Sequence, residues 1–278
     1  MSDKVAFITG ASRGIGAEAA VALAAAGYRV AITARTLAEG ERHDHVGSTA
    51  ALPGSLEATA AAVEKHGGEA LCLRADILDP ASIADAAQAA LAHFGRVDLL
   101  FNNAVYQGNG NIEPVLQVTD EQLHAIYQGN VFTPLALVKA FLPGMIERRS
   151  GTLLNMVSHS AFRDPPAAAD QGGWGFAYPS SKAALSRMAA SLRAEHPDAN
   201  LRIFNLEPGL VMTEVMRLAG IDDAVMARFK PCTPAAIAAV VSWLAENEPP
   251  ADWEPRQVLR GPAIAKSLGL LKTPSYLG

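Results

Sequence analysis

Tyr178 and Lys182 stand four residues apart in Tyr178-Pro179-Ser180-Ser181-Lys182. On a helix that spacing puts both side chains on one face, and proline is tolerated in a first turn. A free tyrosine titrates near pH ~10 and is a poor base at neutral pH. A lysine one turn away favours the phenolate, at roughly 1.4 kcal/mol per unit of depression. A tyrosine tuned in this way can give a proton to an oxygen or take one back. Ser158 follows the apolar run Gly151–Val157, and its hydroxyl can bond and position the same oxygen. Alone, Tyr-x-x-x-Lys carries little weight, because both residues are common on helices. The elements around it have to be read with it.

Val5–Thr9 reads as a buried strand. Thr9-Gly10-Ala11-Ser12-Arg13-Gly14-Ile15-Gly16 follows, then an alanine-rich helix as far as Gly27, which sits at its C-cap. A helix N-terminus behind a glycine turn offers bare N–H groups to phosphate, and the missing Cβ atoms let it come close. A glycine triplet by itself also fits a tight turn that binds nothing. Further strands are expected at Arg29–Thr33, Ala70–Ala75, Val97–Phe101, Gly151–Val157, Leu201–Leu206 and Gln257–Leu259. Helices are expected at Leu56–His66 behind a Ser55 cap, Pro80–Phe94, Thr119 to Arg148, from Tyr178 onward, and Pro234–Glu246. Thr119 and Gln122 form a capping box. Pro134 implies a kink in its helix that frees a carbonyl. Strands alternating with helices predict an α/β parallel sheet, with ligands at the C-terminal strand ends.

The spacing Thr-Gly-x-x-x-Gly-x-Gly is followed in order by Asn102-Asn103-Ala104, Asn130, Ser158 and Tyr178-x-x-x-Lys182. This set resembles the short-chain dehydrogenase/reductase family over about residues 4–261. The resemblance implies one Rossmann-type domain over residues 1–278, a doubly wound parallel sheet of about seven strands with helices on both faces. It implies hydride transfer between a nicotinamide cofactor and a carbonyl or secondary alcohol, the cofactor carrying the hydride chemistry. Ser158, Tyr178, Lys182 and Asn130 are then the catalytic residues, with Lys182 also on the nicotinamide ribose. Asn130 would hold a relay water through its backbone; as an isolated residue it reads as a helix surface amide. The implied cofactor contacts begin with Gly10, Ser12, Arg13, Gly14, Ile15 and Gly16 at the diphosphate. Asp76 and Ile77 lie at the adenine, and Asn103 and Ala104 beside the cofactor. Pro208 and Gly209 flank the nicotinamide, with Val211 and Thr213 at the carboxamide and phosphates. Asp76 alone would also fit a helix cap.

Strand Arg29–Thr33 runs into Ala34, Arg35 and Thr36. An acid there would bind the ribose hydroxyls of NAD and repel a 2′-phosphate. None is present, and Arg35 can pair with a phosphate through two parallel bonds. Arg13 is placed to reach the same phosphate. Each arginine alone fits a solvated surface charge; together with the missing acid they imply NADP(H).

The 278 residues are 50% hydrophobic and 18% charged, which excludes a disordered chain. A net charge of −5 argues against nucleic-acid binding. Cys72 and Cys232 make no disulfide or metal pattern, and His43-Asp44-His45 has no further ligand to join it, so no metal is expected. With no apolar targeting run and no uninterrupted membrane-length run, a cytoplasmic setting is expected, with no membrane partner. The family resemblance implies a homodimer or homotetramer through the two long helices Thr119–Arg148 and Tyr178–Ala194.

The chain departs from the family pattern at Val105 (a glycine in the family), in the loop 37–54, in the segment 159–177 and in the tail 262–278. Val105 cannot take a glycine's positive φ, so either the turn differs or the glycine served only for size. Phe162, Trp174 and Phe176 either plug the 159–177 segment onto the core or line a substrate wall opposite a lid at 210–232. The second reading favours a bulky apolar or aromatic substrate. The tail either covers the site or makes a subunit contact. Two rival functions remain. One is a cofactor-binding sensor of the same fold without turnover. The other is a different Rossmann enzyme such as a methyltransferase, which has no use for Ser158, Tyr178 and Lys182.

Overall fold

The computed structural model describes residues 4–44, 50–211, 213–214, 232–250 and 258–270. Seven strands, β1 Val5–Thr9, β2 Arg29–Ala34, β3 Ala70–Arg74, β4 Leu99–Asn102, β5 Gly151–Met156, β6 Leu201–Glu207 and β7 Val258–Arg260, form one sheet. All pairings are parallel, in the order β3-β2-β1-β4-β5-β6-β7. Every residue of β1 is buried, as its continuous apolar run requires of a strand covered on both faces. Ile8 is in register with Ile32 on one side and Phe101 on the other.

Helices α1 Gly14–Ala25, α2 Leu56–Lys65, α3 Pro80–Phe94, α4 Asp120–Tyr127, α5 Thr133–Glu147, α6 Ala177–Glu195, α7 Pro234–Glu246 and α8 Gly261–Ser267 complete the described chain. They bury two separate cores. Leu23 of α1, Leu56 of α2, Val241 of α7 and Ile264 of α8 pack on one face of the sheet. Ile83 of α3, Leu137 and Phe141 of α5 and Leu192 of α6 pack on the other. The connections from β1 and β4 leave in opposite directions, so a crevice opens between the C-terminal ends of these neighbouring strands.

The long helix expected from Thr119 is interrupted. Gln128–Phe132 is a turn of π-helix, and Pro134 sits in the first turn of α5 behind it. Proline has no N–H and crowds the preceding turn, and the widened turn accommodates this. The stretch Asp120–Glu147 is apolar and long enough to cross a membrane by length and composition, yet half of its most apolar window is buried within the protein. Part of the tail is α8, whose Ile264 and Ala265 are core residues. Residues 271–278 and most of the expected lid fall outside the described residues. Of the lid's ends, Val211 and Cys232 form a parallel bridge.

Candidate active site

The turn after β1 is built for close approach. Gly10 has φ +68°, and a Cβ there would lie 2.9 Å from Ala104 Cα. A Cβ on Gly16 would lie 2.2 Å from Gly10 O and 2.7 Å from Asn103 Nδ2. Gly16 therefore closes the turn against α1 and does not face the cleft. Asn103 Nδ2 donates to Thr9 O at 2.9 Å and Gly10 O at 3.2 Å, and Thr9 Oγ1 accepts from the N–H groups of Asn103 and Ala104 at 3.0 Å. The ends of β1 and β4 are thus tied together. α1 starts behind this turn with no capping side chain and no acid in its first turn, whereas α2, α3, α4 and α7 are capped by Ser55, Asp79, Thr119 and Thr233. The free N–H groups and the glycine turn fit a diphosphate.

The crevice between β1 and β4 is a cleft of about 560 Å³. It gathers Gly10, Ser12, Arg13, Gly14 and Ile15 from the turn, Arg35 and Thr36 after β2, and Asp76 and Ile77 after β3. Asn103 and Ala104 after β4 line it, as do Ser158 after β5, Tyr178 and Lys182 on α6, and Pro208, Gly209, Val211 and Thr213 after β6. Of the anticipated site residues, Gly16 and Asn130 lie outside the lining.

Lys182 is 2% exposed, and its Nζ donates to Met156 O at 2.9 Å. It lies 5.9 Å from the centre of the Tyr178 ring. Burial pushes the ammonium down to about 8. Burial pushes Tyr178 up, and a hydrogen bond from Ser158 pulls the other way. The lysine is not among the causes acting on the phenol in the cofactor-free protein. Its amine is turned to a carbonyl, so desolvation dominates at the ring. Asn130 is no surface amide. It is fully buried, accepting from Tyr106 N at 2.9 Å and donating to Ser181 Oγ at 3.0 Å. Ser181 donates in turn to Tyr178 O at 2.7 Å. The side chain of Asn130 braces the first turn of α6, which carries Tyr178.

The short chain dehydrogenase family pattern matches residues 4–223. The chain belongs to the short-chain dehydrogenase/reductase family. It is 31% identical over 215 residues to "Dehydrogenase/reductase SDR family member 7B" of Mus musculus, covering 77% of this chain and 60% of that protein. The chain thus spans about three-fifths of that curated relative's length. A metagenomic short-chain oxidoreductase solved in complex with NADP is similar at 30% identity and TM-score 0.69, over 94% of this chain and 98% of that one. A metagenomic blue fluorescent protein solved with NADPH is similar at 26% identity and TM-score 0.72, over 92% and 95% of the two chains.

Against the pattern of this family, Val105 replaces a glycine without strain. Arg149 and Asn200 are the only non-glycine residues with positive φ among those described, so the turn at Val105 asks for no left-handed conformation in this chain. At the adenosine end the arginines are already engaged. Arg13 Nε donates to Pro53 O at 2.9 Å, and its Nη2 donates to Gly54 O at 2.9 Å and Thr36 Oγ1 at 3.2 Å. Arg13 thus holds the loop that follows β2 across the turn. Arg35 Nη2 donates to Asp44 O at 3.0 Å. Glu41 accepts from Ala38 N at 3.1 Å and takes two bonds from Arg74, which also donates to Arg35 O at 2.9 Å. These bonds hold Glu41 down at about 2.

Asp44, Tyr106, Gln107, Gly108, Leu210 and Glu214 also line the cleft; Tyr106, Gln107 and Gly108 belong to the glycine- and asparagine-rich 106–118 loop at its mouth, and Leu210 and Glu214 to the expected lid. Tyr106 and Gln107 lie one residue past Asn102-Asn103-Ala104, after Val105, and are findable from that motif. Asp44 gives no such signal, because the path of its loop decides its place. The expected aromatic wall is corrected: Phe162, Trp174 and Phe176 are not in the cleft lining. A Cβ on Gly173 would meet Ala167 O at 1.9 Å and one on Gly175 would meet Glu113 O at 2.2 Å. The 159–177 segment therefore folds onto itself and onto the 106–118 loop. Phe162 lines a separate groove of about 590 Å³ with Arg163, Arg187 and Arg260.

Proposed function

We propose that this family member is an NADP(H)-dependent oxidoreductase that interconverts a carbonyl and a secondary alcohol. The observation that carries the reading is the convergence of Ser158, Tyr178 and Lys182 on one cleft with the uncapped N-terminus of α1. Bound NADP(H) supplies or accepts the hydride. Ser158 donates to the reacting oxygen and orients it. Tyr178 protonates that oxygen in reduction and takes the proton back in oxidation. Lys182 places positive charge behind the ring and reaches the ribose. Asn130 holds the turn that carries Tyr178. The N–H groups at the start of α1 take the diphosphate, and Arg35 takes the 2′-phosphate, as the NADP complex of a similar structure supports.

The substrate is a bulky apolar or aromatic carbonyl compound. Val105, Tyr106, Leu210 and Val211 share the cleft with Ser158 and Tyr178, and among the described residues Lys182 is the only cation of the lining outside Arg13 and Arg35. A phosphorylated substrate would need more. One Rossmann-type domain in a cytoplasmic homo-oligomer performs the reaction; the two cysteines, neither in a disulfide, fit a reducing compartment. Tyr178→Phe tests the reading. NADPH consumption over a panel of ketones should fall at least about a hundredfold, the usual worth of a general acid, while NADPH still binds. Near-normal turnover refutes the assignment.

A further inference from the structure

Ser158 and Ser160 form a hydroxyl pair, 3.0 Å between Oγ atoms, at the start of the short 3-10 turn His159–Ala161. Ser158 lines the catalytic cleft and Ser160 does not. A hydroxyl offers one hydrogen and accepts at two positions. A backbone N–H can only donate, and that of Ser160 points at Ser158 Oγ over a long 3.4 Å. One accepting position of Ser158 is therefore filled by the main chain.

The contact between the hydroxyls has two polarities. If Ser158 gave its hydrogen to Ser160, it would face the cleft with a lone pair alone and could give nothing to a substrate oxygen. If Ser160 gives its hydrogen to Ser158, both accepting positions of Ser158 are filled and its own hydrogen is left for the cleft. An oxygen on which negative charge develops needs a donor.

We propose that Ser160 is a positioning residue, whose hydroxyl donates to Ser158 and so fixes Ser158 as the donor to the reacting oxygen. The proposal rests on the reading of Ser158 given above. The chain of donors runs Ser160 to Ser158 to the cleft. A Ser158 hydroxyl held as a donor would also favour the phenolate of Tyr178, the direction in which Ser158 acts on that group.

Ser160→Ala keeps the backbone N–H and removes the hydroxyl. It should lower kcat about fivefold, the worth of one neutral hydrogen bond, and leave KM for NADPH unchanged. The basic limb of the kcat–pH profile should move upward, because Ser158 no longer donates reliably to Tyr178. Ser160→Thr should restore both. In a Ser158→Ala background, Ser160→Ala should have no further effect. The proposal is overturned if Ser160→Ala stays within about twofold of the parent, or if the loss is the same with Ser158 absent. Tyr178→Phe separates the two levels. If that variant is inactive while Ser160→Ala is neutral, only the positioning role fails; if it keeps turnover, both readings fail.

Discussion

An ammonium group at 2% exposure with one carbonyl acceptor, Met156 O, is held against its solvation. Burial lowers Lys182 from 10.5 to about 8. The unfolded chain keeps that proton up to 10.5, and the folded cofactor-free protein releases it near 8. Between these values the unfolded state binds more protons, so stability rises with pH. The gain is complete above 10.5 and is lost as the pH falls through 8. Lys182→Met keeps the stem and removes the charge. It should be more stable than the parent at pH ~7, by on the order of 3 kcal/mol, and the gap should close as the pH rises to 10.5. Denaturant unfolding of the cofactor-free proteins across this range measures it. A gap independent of pH rules out a charged lysine in that pocket. The types and spacing of Tyr178 and Lys182 are legible in the sequence, because helical periodicity alone puts them on one face. The direction of the tyrosine's shift is not legible, because it depends on what the lysine amine bonds.

At the level of elements, strands and glycine turn follow from local pattern: β1 is an apolar run, and Gly10 lies where only a bare Cα clears Ala104. Loops follow from no such pattern. The sequence leaves the segment 159–177 either plugged onto the core or walling the substrate cleft with Phe162, Trp174 and Phe176. Its glycines bring its backbone against Ala167 and Glu113. The loop after β2 shows the opposite case, for it carries Asp44 into the cleft beside Arg35. On the NADP(H) reading proposed above, a carboxylate facing that end of the cleft would repel the 2′-phosphate that Arg35 would attract. Arg35→Asp should therefore shift the NADPH/NADH ratio of kcat/KM toward NADH by about tenfold or more, the loss of a charge-assisted bond plus a new repulsion. Asp44→Asn should move it toward NADPH by only a few-fold, about what an exposed, screened charge is worth. Steady-state kinetics with both cofactors reads the two shifts. A parent enzyme with equal or better efficiency on NADH sinks the NADP(H) reading, and an unchanged ratio in Asp44→Asn shows that its carboxylate faces away from the phosphate.

For the molecule as a whole, sheet order and the two cores account for the buried residues, but not for the apolar residues left outside. Phe132 is 48% exposed at the junction of α4 and α5, and Ile112, Val115 and Leu116 are 69%, 62% and 98% exposed in the loop before α4. Exposed apolar side chains of this size fit a subunit contact. The helices α4, α5 and α6 were expected from the family resemblance to join subunits. In a two-fold contact each residue is used twice, so burying one phenylalanine contributes about 1.5–3 kcal/mol per copy, or about twice that per dimer. We expect a homodimer or homotetramer, and Phe132→Asp should weaken it by two or more decades in Kd, the effect of roughly 3–6 kcal/mol lost per dimer. Light scattering at micromolar concentration distinguishes the outcomes. A monomeric parent refutes the assembly. A Phe132→Asp variant that keeps the parent's mass at every dilution places the contact elsewhere on the molecule. Phe132 lies outside the cleft lining, so loss of assembly without loss of NADPH binding would separate the contact from the site it borders.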